Sequence, residues 1–547
     1  MKTRYMQWRS RFFTKPTATS PRLQKYIDSN RLRTLLLGAF GSILITLSSY
    51  GVGWIADSSG FWRNNLIRTI RYEVSWVIVC IIALSLGAMI MCREWLRIYQ
   101  KMGTWNNSSL RWMIAIVTCW SLPQVFALTI YSRDMFSYYG QGMVMAHGLN
   151  PYKQGVSEIA NFMQNGADPQ WAESPPPYGP ISLKIEEFIA RIVDGNIDLA
   201  IFLFRLVSVL AVIGILFFVV KLAQLYKYNQ TRALWQVGAN PLFIASFIAS
   251  GHNDSLMTMF MLAGLYFAKR YPNVYGGVLG VTMVTFGVGV KPLALVVLPF
   301  VGLLWAGNNA SWVRKFTIWF ISGIILLAEL AILGYISDLG FGWVSALSTT
   351  GGQYIWYTPI GLVIGFIGLF AHGDSFDTVK KILENIGKLL GILSALSFAF
   401  VGRYRNVVRY AGLAILAMLF FSPMIQSSYI LWAVPMIAAT GLRSHFQLMW
   451  YFVTTLFFMA YAVCDQLYIS PYLNDFNQGM ARLIAILICL AYIVYLMALD
   501  PATRRMVYLS FHPHQVKRTI TRMWWQLFPQ TRERLRARRT RQILQKH

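Results

Sequence analysis

The chain alternates between apolar runs and polar links. Runs of spanning or near-spanning length begin near Thr34, Val74, Leu110, Asp198, Ala233, Ser255, Val274, Leu293, Trp312, Ile382, Val407, Tyr429, Phe446 and Ala481. Crossing the hydrocarbon of a bilayer takes about 20 apolar residues as a helix, and the runs at Ala233, Ser255 and Leu293 are shorter. The pattern predicts an all-α protein with about 14 transmembrane helices, an even number that leaves both ends on one side. One more apolar run, Ile355–Ala371, would break that parity. It carries Thr358-Pro359, is rich in glycine, and reads as a re-entrant or interfacial segment on the outer side.

Composition closes off the alternatives. Hydrophobic residues make up 56% of the 547 positions and charged residues 13%, with mean hydropathy +0.47. A soluble domain carries about 25% charged residues, so soluble, disordered and disulfide-scaffold classes are excluded. The five cysteines, Cys80, Cys92, Cys119, Cys464 and Cys489, lie in or beside apolar stretches, with no metal-site spacing.

The net charge of +27 suggests a polyanion partner until it is located. Residues 1–33 carry nine Lys/Arg against Asp28, and residues 501–547 carry twelve against Glu533. Basic segments abutting the outermost apolar runs place both termini in the cytoplasm, where they meet anionic lipid. Nucleic acid is not the partner. Within the second tail, Gln530–Lys546 suits an interfacial or solvated helix. The first apolar run has no small-residue cleavage site and reads as a retained span. The chain therefore divides into a basic tail 1–33, a membrane-embedded domain 34–500 and a basic tail 501–547. Basic links such as Arg93–Arg97, Lys221–Arg232 and Arg403–Arg409 fall on the inner side of this topology; Arg63, Arg68 and Arg71 are exceptions.

One link stands apart. Residues 132–197 form the longest insertion between runs, face outward on this topology, and carry charges, prolines and aromatics. A loop of this length is functional or disordered, and its aromatic content argues against disorder. The chemistry is expected there.

Five motifs are candidates, each with a structural alternative. In Ser132-Arg133-Asp134 with Ser137-Tyr138, Asp134 is a candidate general base, or else the N-cap of a helix through Ser137–Ala146. His147-Gly148-Leu149-Asn150-Pro151-Tyr152 is a helix stop and turn; that leaves its His, Asn and Tyr clustering unexplained. Ser174 to Pro180 holds three consecutive prolines that stiffen the approach to Tyr178. Gly251-His252-Asn253-Asp254 needs only one polar residue to cap the next span, and has three. Lys291-Pro292 sets a lysine among apolar helices, where it snorkels or pairs. Gly276 and Gly280 suit helix packing better than a phosphate loop. Neither a Walker sequence nor an Asp-x-Asp pair occurs. Asp374 and Asp377 are a weak metal candidate, and no residue is assigned to a metal.

Taken in order, Ser132-Arg133-Asp134, Ser137-Tyr138, His147 to Tyr152, Tyr178-Gly179-Pro180, His252-Asn253-Asp254 and Lys291-Pro292 resemble one family. It comprises the polyprenol-phosphomannose-dependent α-1,6-mannosyltransferases of mycobacteria and corynebacteria, which are membrane-embedded GT-C glycosyltransferases. Ser422-Pro423 and Tyr429 add weaker support. The resemblance implies a multi-pass plasma-membrane enzyme with its active site on the extracytoplasmic face. It implies a polyprenyl-phosphate mannose donor, a lipid-linked phosphatidylinositol mannoside or mannan acceptor, and a role in lipomannan and lipoarabinomannan assembly. The family's donor is β-linked and its product α, so one inverting displacement suffices. Asp134 matches the family's acidic base in the first large outward loop.

The leaving phosphate needs cations or donors; the candidates are Lys291, His252 and Arg205. Arg133, Tyr138, His147, Asn150, Tyr152, Tyr178, Asn253, Asp254 and Tyr429 are the candidate substrate contacts. No cofactor is called for, and a divalent cation stays open. The rival class is a transporter or flippase for a lipid-linked sugar, with broken helices and buried charges at the midplane. The spans here hold few charges, among them Arg205 and Glu329, and the polar residues cluster in one loop. That distribution favours an enzyme.

This topology predicts that a cysteine placed at Gln164 reacts with an impermeant thiol reagent in intact cells. Protection at Gln164 together with labelling of a tail would overturn it.

Overall fold

A computed structural model of the chain describes residues 21–102, 109–349, 354–401 and 404–511. The ends 1–20 and 512–547, including the helix expected over Gln530–Lys546, lie outside the described residues. Among the described residues the structure is helical, and its one β-bridge, isolated, joins Trp54 to Thr129.

The α-helices of seven residues or more run in chain order as follows. The first group is α1 Pro21–Val52, α2 Asn65–Tyr72, α3 Val74–Lys101, α4 Ser109–Val125, α5 Asp134–Ala146, α6 Pro180–Val193 and α7 Ile197–Leu225. The middle group is α8 Gln230–Val237, α9 Asp254–Arg270, α10 Val274–Val290, α11 Leu298–Ala306, α12 Trp312–Ser337 and α13 Gly342–Thr349. The last group is α14 Pro359–Ile367, α15 Asp374–Val401, α16 Val407–Phe420, α17 Val434–Thr440, α18 His445–Asp465, α19 Gln478–Ala498 and α20 Pro501–Phe511.

Among the described residues, 7 helices are long and apolar enough to cross a membrane: the Asn30–Val52 part of α1, then α3, α7, α12, α15, α18 and α19. Their outward faces are apolar too: Phe320 on α12 is 71% exposed and Val494 on α19 is 64% exposed. Continuous exposed apolar surface suits lipid and not water. The protein is a polytopic membrane protein.

The other apolar runs form shorter or broken helices. The run at Ala233 ends α8 at Gly238, restarts at Asn240-Pro241, and passes through a five-residue π-helical turn, Ala245–Ala249. The run at Leu293 begins as a 3-10 segment, Pro292–Val297, before α11. The run at Tyr429 is a 3-10 turn, Tyr429–Trp432, followed by α17. Proline explains two of these interruptions, because it removes a donor and clashes with the preceding turn. Ile355–Ala371 contains only α14, nine residues long and capped by the Thr358 hydroxyl. Breaks like these at membrane depth are tolerated where protein covers the freed backbone groups, and residues 241–249 are all buried.

Two close helix approaches set the frame. A β-carbon on Gly264 of α9 would lie 2.7 Å from the Gly280 carbonyl oxygen of α10, so these two small residues bring the backbones together. In the loop 132–197, Gly142 of α5 sits against α6: a β-carbon there would lie 2.2 Å from the Glu186 carbonyl oxygen. That loop is well packed onto the helices; Gly179 donates its N–H to the Val290 carbonyl at 3.0 Å.

Gly142→Val must therefore push α5 off α6, at a cost of about 1–3 kcal/mol. Gly323 on α12 has open space around its α-carbon. Thermal melting in detergent should show a lowered midpoint for Gly142→Val and none for Gly323→Ala. Equal effects would show that the α5–α6 contact is not close.

Candidate active site

Three turns deliver the polar residues to one place. The first follows the Trp54–Thr129 bridge. Tyr131 takes a left-handed conformation at φ 67°, unusual for a residue with a side chain, and redirects the chain into α5. Asp134 is the first residue of α5, with Arg133 in the cap position and no side-chain cap bond. Ser132 Oγ accepts from the Asp134 N–H at 3.1 Å.

The second turn is Gly251–Asp254. Gly251 is left-handed at φ 61°, and a β-carbon there would press 2.5 Å from Met135 Sδ. Glycine is required on both counts. Neither polar residue after His252 caps α9, which starts at Asp254 without a side-chain cap bond. The third turn is Lys291-Pro292, where α10 stops and the 3-10 segment begins.

The turns meet in two side-chain contacts, a His–carboxylate contact and an ion pair. His252 Nδ1 lies 3.0 Å from Asp134 Oδ2. Lys291 Nζ donates to Asp254 Oδ1 at 2.6 Å. The Lys291 ammonium also stands 5.3 Å from the Tyr429 ring centroid, 5.2 Å from Trp432 and 5.7 Å from Tyr178. Rings around a cation contribute about 0.5–2 kcal/mol each, more as water is withdrawn.

Asp134 is the accessible carboxylate, with its side chain 38% exposed, whereas Asp254 is buried. Burial pushes the Asp134 carboxyl up, but attraction to His252, hydrogen bonds from His252 and Ser132, and the charge of Lys291 together hold it below the usual carboxylate range. It is therefore held ionised at neutral pH, facing open space.

That space is a cavity of about 870 Å³. Asp134, Ser137, Gln141, Tyr178, Asp254, Lys291 and Tyr429 line its polar end, and Trp171 and the three prolines 175–177 wall one side. From there it continues as an apolar arm past Leu295, Val296 and Phe300 to Ile392, Leu396 and Met418. Leu295, Ile392 and Leu396 along this arm are exposed. A carboxylate and a cation at one end of an apolar channel can take a proton and hold an anion beside a lipid chain.

The structure does not bring every candidate to this cavity. Tyr152 donates its hydroxyl to the Tyr178 carbonyl and so steadies the wall. Tyr138 is buried edge-on against Tyr178 and accepts the Asn253 N–H at 3.4 Å. Asn253 directs its amide to Ser182 Oγ at 3.1 Å. His252 stands behind Asp134 and does not line the cavity.

Four candidates lie elsewhere. Arg205 is buried, donating to the carbonyls of Val125 and Ala249 at 3.0 Å each; its fork satisfies oxygens freed where α4 and the π-helical turn end. Arg133 donates to the Gly166 and Ala167 carbonyls and stacks on Trp54 at 4.5 Å. His147 is exposed, its ring nitrogen 2.8 Å from its own helix carbonyl at Met143. Asn150 accepts the Tyr152 N–H in a local turn.

Sequence reasoning missed Trp432 beside Lys291, Gln141 on the cavity wall, and Glu186 behind the His252–Asp254 turn. For Glu186 a signal existed. Ser182, Leu183, Glu186, Ile189, Ala190 and Val193 make one buried stripe of α6, with a carboxylate in the middle of it.

Comparison with known proteins decides the family. Residues 35–307 match the model of the alpha-(1->6)-mannopyranosyltransferase family N-terminal domain, and residues 357–494 match the MptB C-terminal domain. The chain belongs to the alpha-(1->6)-mannopyranosyltransferase family. The cavity draws on both matched parts of the family: Asp134, Asp254 and Lys291 from the first, Ile392, Leu396 and Tyr429 from the second. Among its relatives, a probable alpha-(1->6)-mannopyranosyltransferase of Mycolicibacterium smegmatis is 29% identical over 451 residues, covering 76% of this chain and 80% of the relative. An alpha-(1->6)-mannopyranosyltransferase of Mycobacterium tuberculosis is 26% identical over 477 residues, with the same coverage of 76% and 80%. Alpha-(1->6)-mannopyranosyltransferase B of Corynebacterium glutamicum is 24% identical, covering 76% of this chain and 74% of the relative. No solved structure matches the chain.

Removing His252 takes away the attraction that keeps Asp134 low while the burial that raises it stays. In His252→Gln the acid limb of the kcat/KM–pH profile for glycosyl transfer should move to higher pH, since the base protonates earlier. An unmoved limb would show that His252 does not govern Asp134.

Proposed function

We propose that the protein transfers mannose from polyprenyl-phosphate mannose to a lipid-linked mannan acceptor, making an α-1,6 linkage with inversion. The acceptor belongs to lipomannan and lipoarabinomannan assembly, and the reaction takes place at the extracytoplasmic face of the plasma membrane. The observation that carries this reading is the single cavity in which Asp134 and Lys291 face an apolar arm. A polyprenyl chain fits such an arm; a nucleotide donor has no use for one. The names of the relatives support the mannosyl part.

The chemistry is one displacement. The acceptor hydroxyl attacks the anomeric carbon as Asp134 takes its proton. The bond from that carbon to the phosphate oxygen breaks, and its electron pair leaves with the polyprenyl phosphate, whose charge Lys291 balances. His252 keeps Asp134 oriented and ionised until the proton moves. Asp254 holds Lys291 before the anion arrives, so that no isolated charge stands in a low-dielectric site. We place the remaining topology on the same reading: a GT-C-like membrane domain over 34–500, the loop 132–197 outside, and both basic tails inside.

Transfer of labelled mannose from polyprenyl-phosphate mannose to an oligomannoside by the purified protein tests this directly. Asp134→Asn should lower kcat by about 10²–10⁴ at unchanged protein level. Lys291→Ala should raise the donor KM and lower kcat together. An Asp134→Asn protein keeping more than about a tenth of the activity would remove Asp134 from the base role.

A further inference from the structure

Behind the catalytic wall lies a second buried carboxylate that the displacement does not use. Glu186 is 2% exposed on the inner stripe of α6. Its Oε1 accepts from Ser182 Oγ at 2.8 Å, and Ser182 Oγ in turn accepts from Asn253 Nδ2 at 3.1 Å. Among the described residues, Glu186 Oε2 and Asn253 Oδ1 are buried without a hydrogen-bond partner. Both residues line one small cavity of about 30 Å³, shared with Ser182, Tyr138, Phe204 and Ser208. It has room for a single water molecule.

Two buried acceptors on one small cavity are costly if both stay acceptors. One proton removes the conflict. A neutral Glu186 donates its O–H to Asn253 Oδ1, directly or through one water, and closes the ring Glu186–Ser182–Asn253. We propose that Glu186 acts as a neutral carboxylic acid, a positioning residue that fixes the His252–Asn253–Asp254 turn through Ser182 and Asn253. The turn's two outer residues are the partners of Asp134 and Lys291, so the ring sets the spacing of both contacts.

The surroundings agree. Burial raises the Glu186 carboxyl to about 8, against the hydrogen bond from Ser182, and no cation acts on it among the described residues. The titratable groups facing it are tyrosines: Tyr138 from α5, and Tyr152 and Tyr178 from the loop. Arg205 of α7 is spent on the Val125 and Ala249 carbonyls and Glu329 of α12 on Thr282 and Thr285 of α10, and neither acts on Glu186. Lys184, Glu187 and Arg191 pair among themselves on the outer side of α6.

The sign of the pH effect follows. The ring is intact below the raised value and lost above it, so positioning fails on the alkaline side. The rate arm of the test rests on the proposed mannosyl transfer; the spectroscopic arm does not. Using full-length protein in nanodiscs, infrared difference spectra between pH 7 and pH 9.5 should show a protonated-carboxyl band that disappears on titration and is absent from Glu186→Gln. Wild-type kcat should fall about ten-fold between pH 7 and pH 9, as expected for one group ionising near 8. Glu186→Gln should stay within about two-fold of wild type at pH 7 and lose that alkaline fall, because its amide donates where the acid did. Glu186→Ala should have a low kcat at every pH and a raised donor KM, because the turn also holds Lys291 through Asp254. A missing carboxyl band, or an alkaline limb shared by wild type and Glu186→Gln, would overturn the proposal. So would a folded Glu186→Gln as inactive as Glu186→Ala. Absence of mannosyl transfer by wild type, with the band present, would overturn the functional reading alone.

Discussion

A lysine inside an apolar helical bundle must have an anion within reach, and here the anion is Asp254. Stripping one member from a buried pair leaves an uncompensated charge at a cost of about 3–5 kcal/mol, so much of the local fold works to keep the two together. Asp254 opens α9 and Lys291 closes α10, and the pair spans the ends of these neighbouring helices. Close packing at Gly264 and Gly280 fixes the separation of those helices. Once Asp254 is held, so are the two residues before it, and His252 reaches Asp134 on a different element. The His252–Asp134 contact therefore depends on the Lys291–Asp254 pair.

The same compensation suits an exchange of partners. On the proposed function, a phosphate entering the cavity meets an ammonium flanked by Tyr178, Tyr429 and Trp432 and paired with Asp254. Low dielectric strengthens whichever anion lies nearer. Both acidic residues also sit in the first turn of a helix, where the positive end of the helix dipole favours their ionised forms. The breaks at Lys291-Pro292 and at Tyr429 border the cavity, whereas the π-helical turn is buried and its Ala249 carbonyl is taken by Arg205.

Much of the membrane fold was legible along the chain, because an apolar run of spanning length has few other uses. The run count misled where proline and glycine interrupt a run: 241–249 has Ser246 as its one polar residue and 292–306 has none, yet neither is one continuous helix. The polar candidates were legible as motifs, since three consecutive polar residues after Gly251 exceed what a cap needs. Which residue pairs with which was not. Asp134 and His252 are far apart in sequence, and only the left-handed turns at Tyr131 and Gly251 bring them together. Arg205 looked like a phosphate ligand because a charge in a span suggests function; its guanidinium instead closes carbonyls that the broken backbone leaves open. Glu186 was hidden beside Glu187, its exposed neighbour, which pairs with Lys184 and Arg191. Only its place on the apolar stripe of α6 separates them.

On the proposed function, one cavity holds a lipid chain along its apolar arm and presents the chain's phosphate to Lys291. Photo-crosslinking with a polyprenyl phosphate carrying a diazirine in its chain, mapped by mass spectrometry, measures this most directly. Adducts are expected on Leu295, Ile392, Leu396 and Met418, suppressed by unlabelled polyprenyl phosphate and weakened in Lys291→Ala. Adducts confined to the far side of α12, around Val313 and Ile321, or adducts on the arm that competition leaves unchanged, would contradict it.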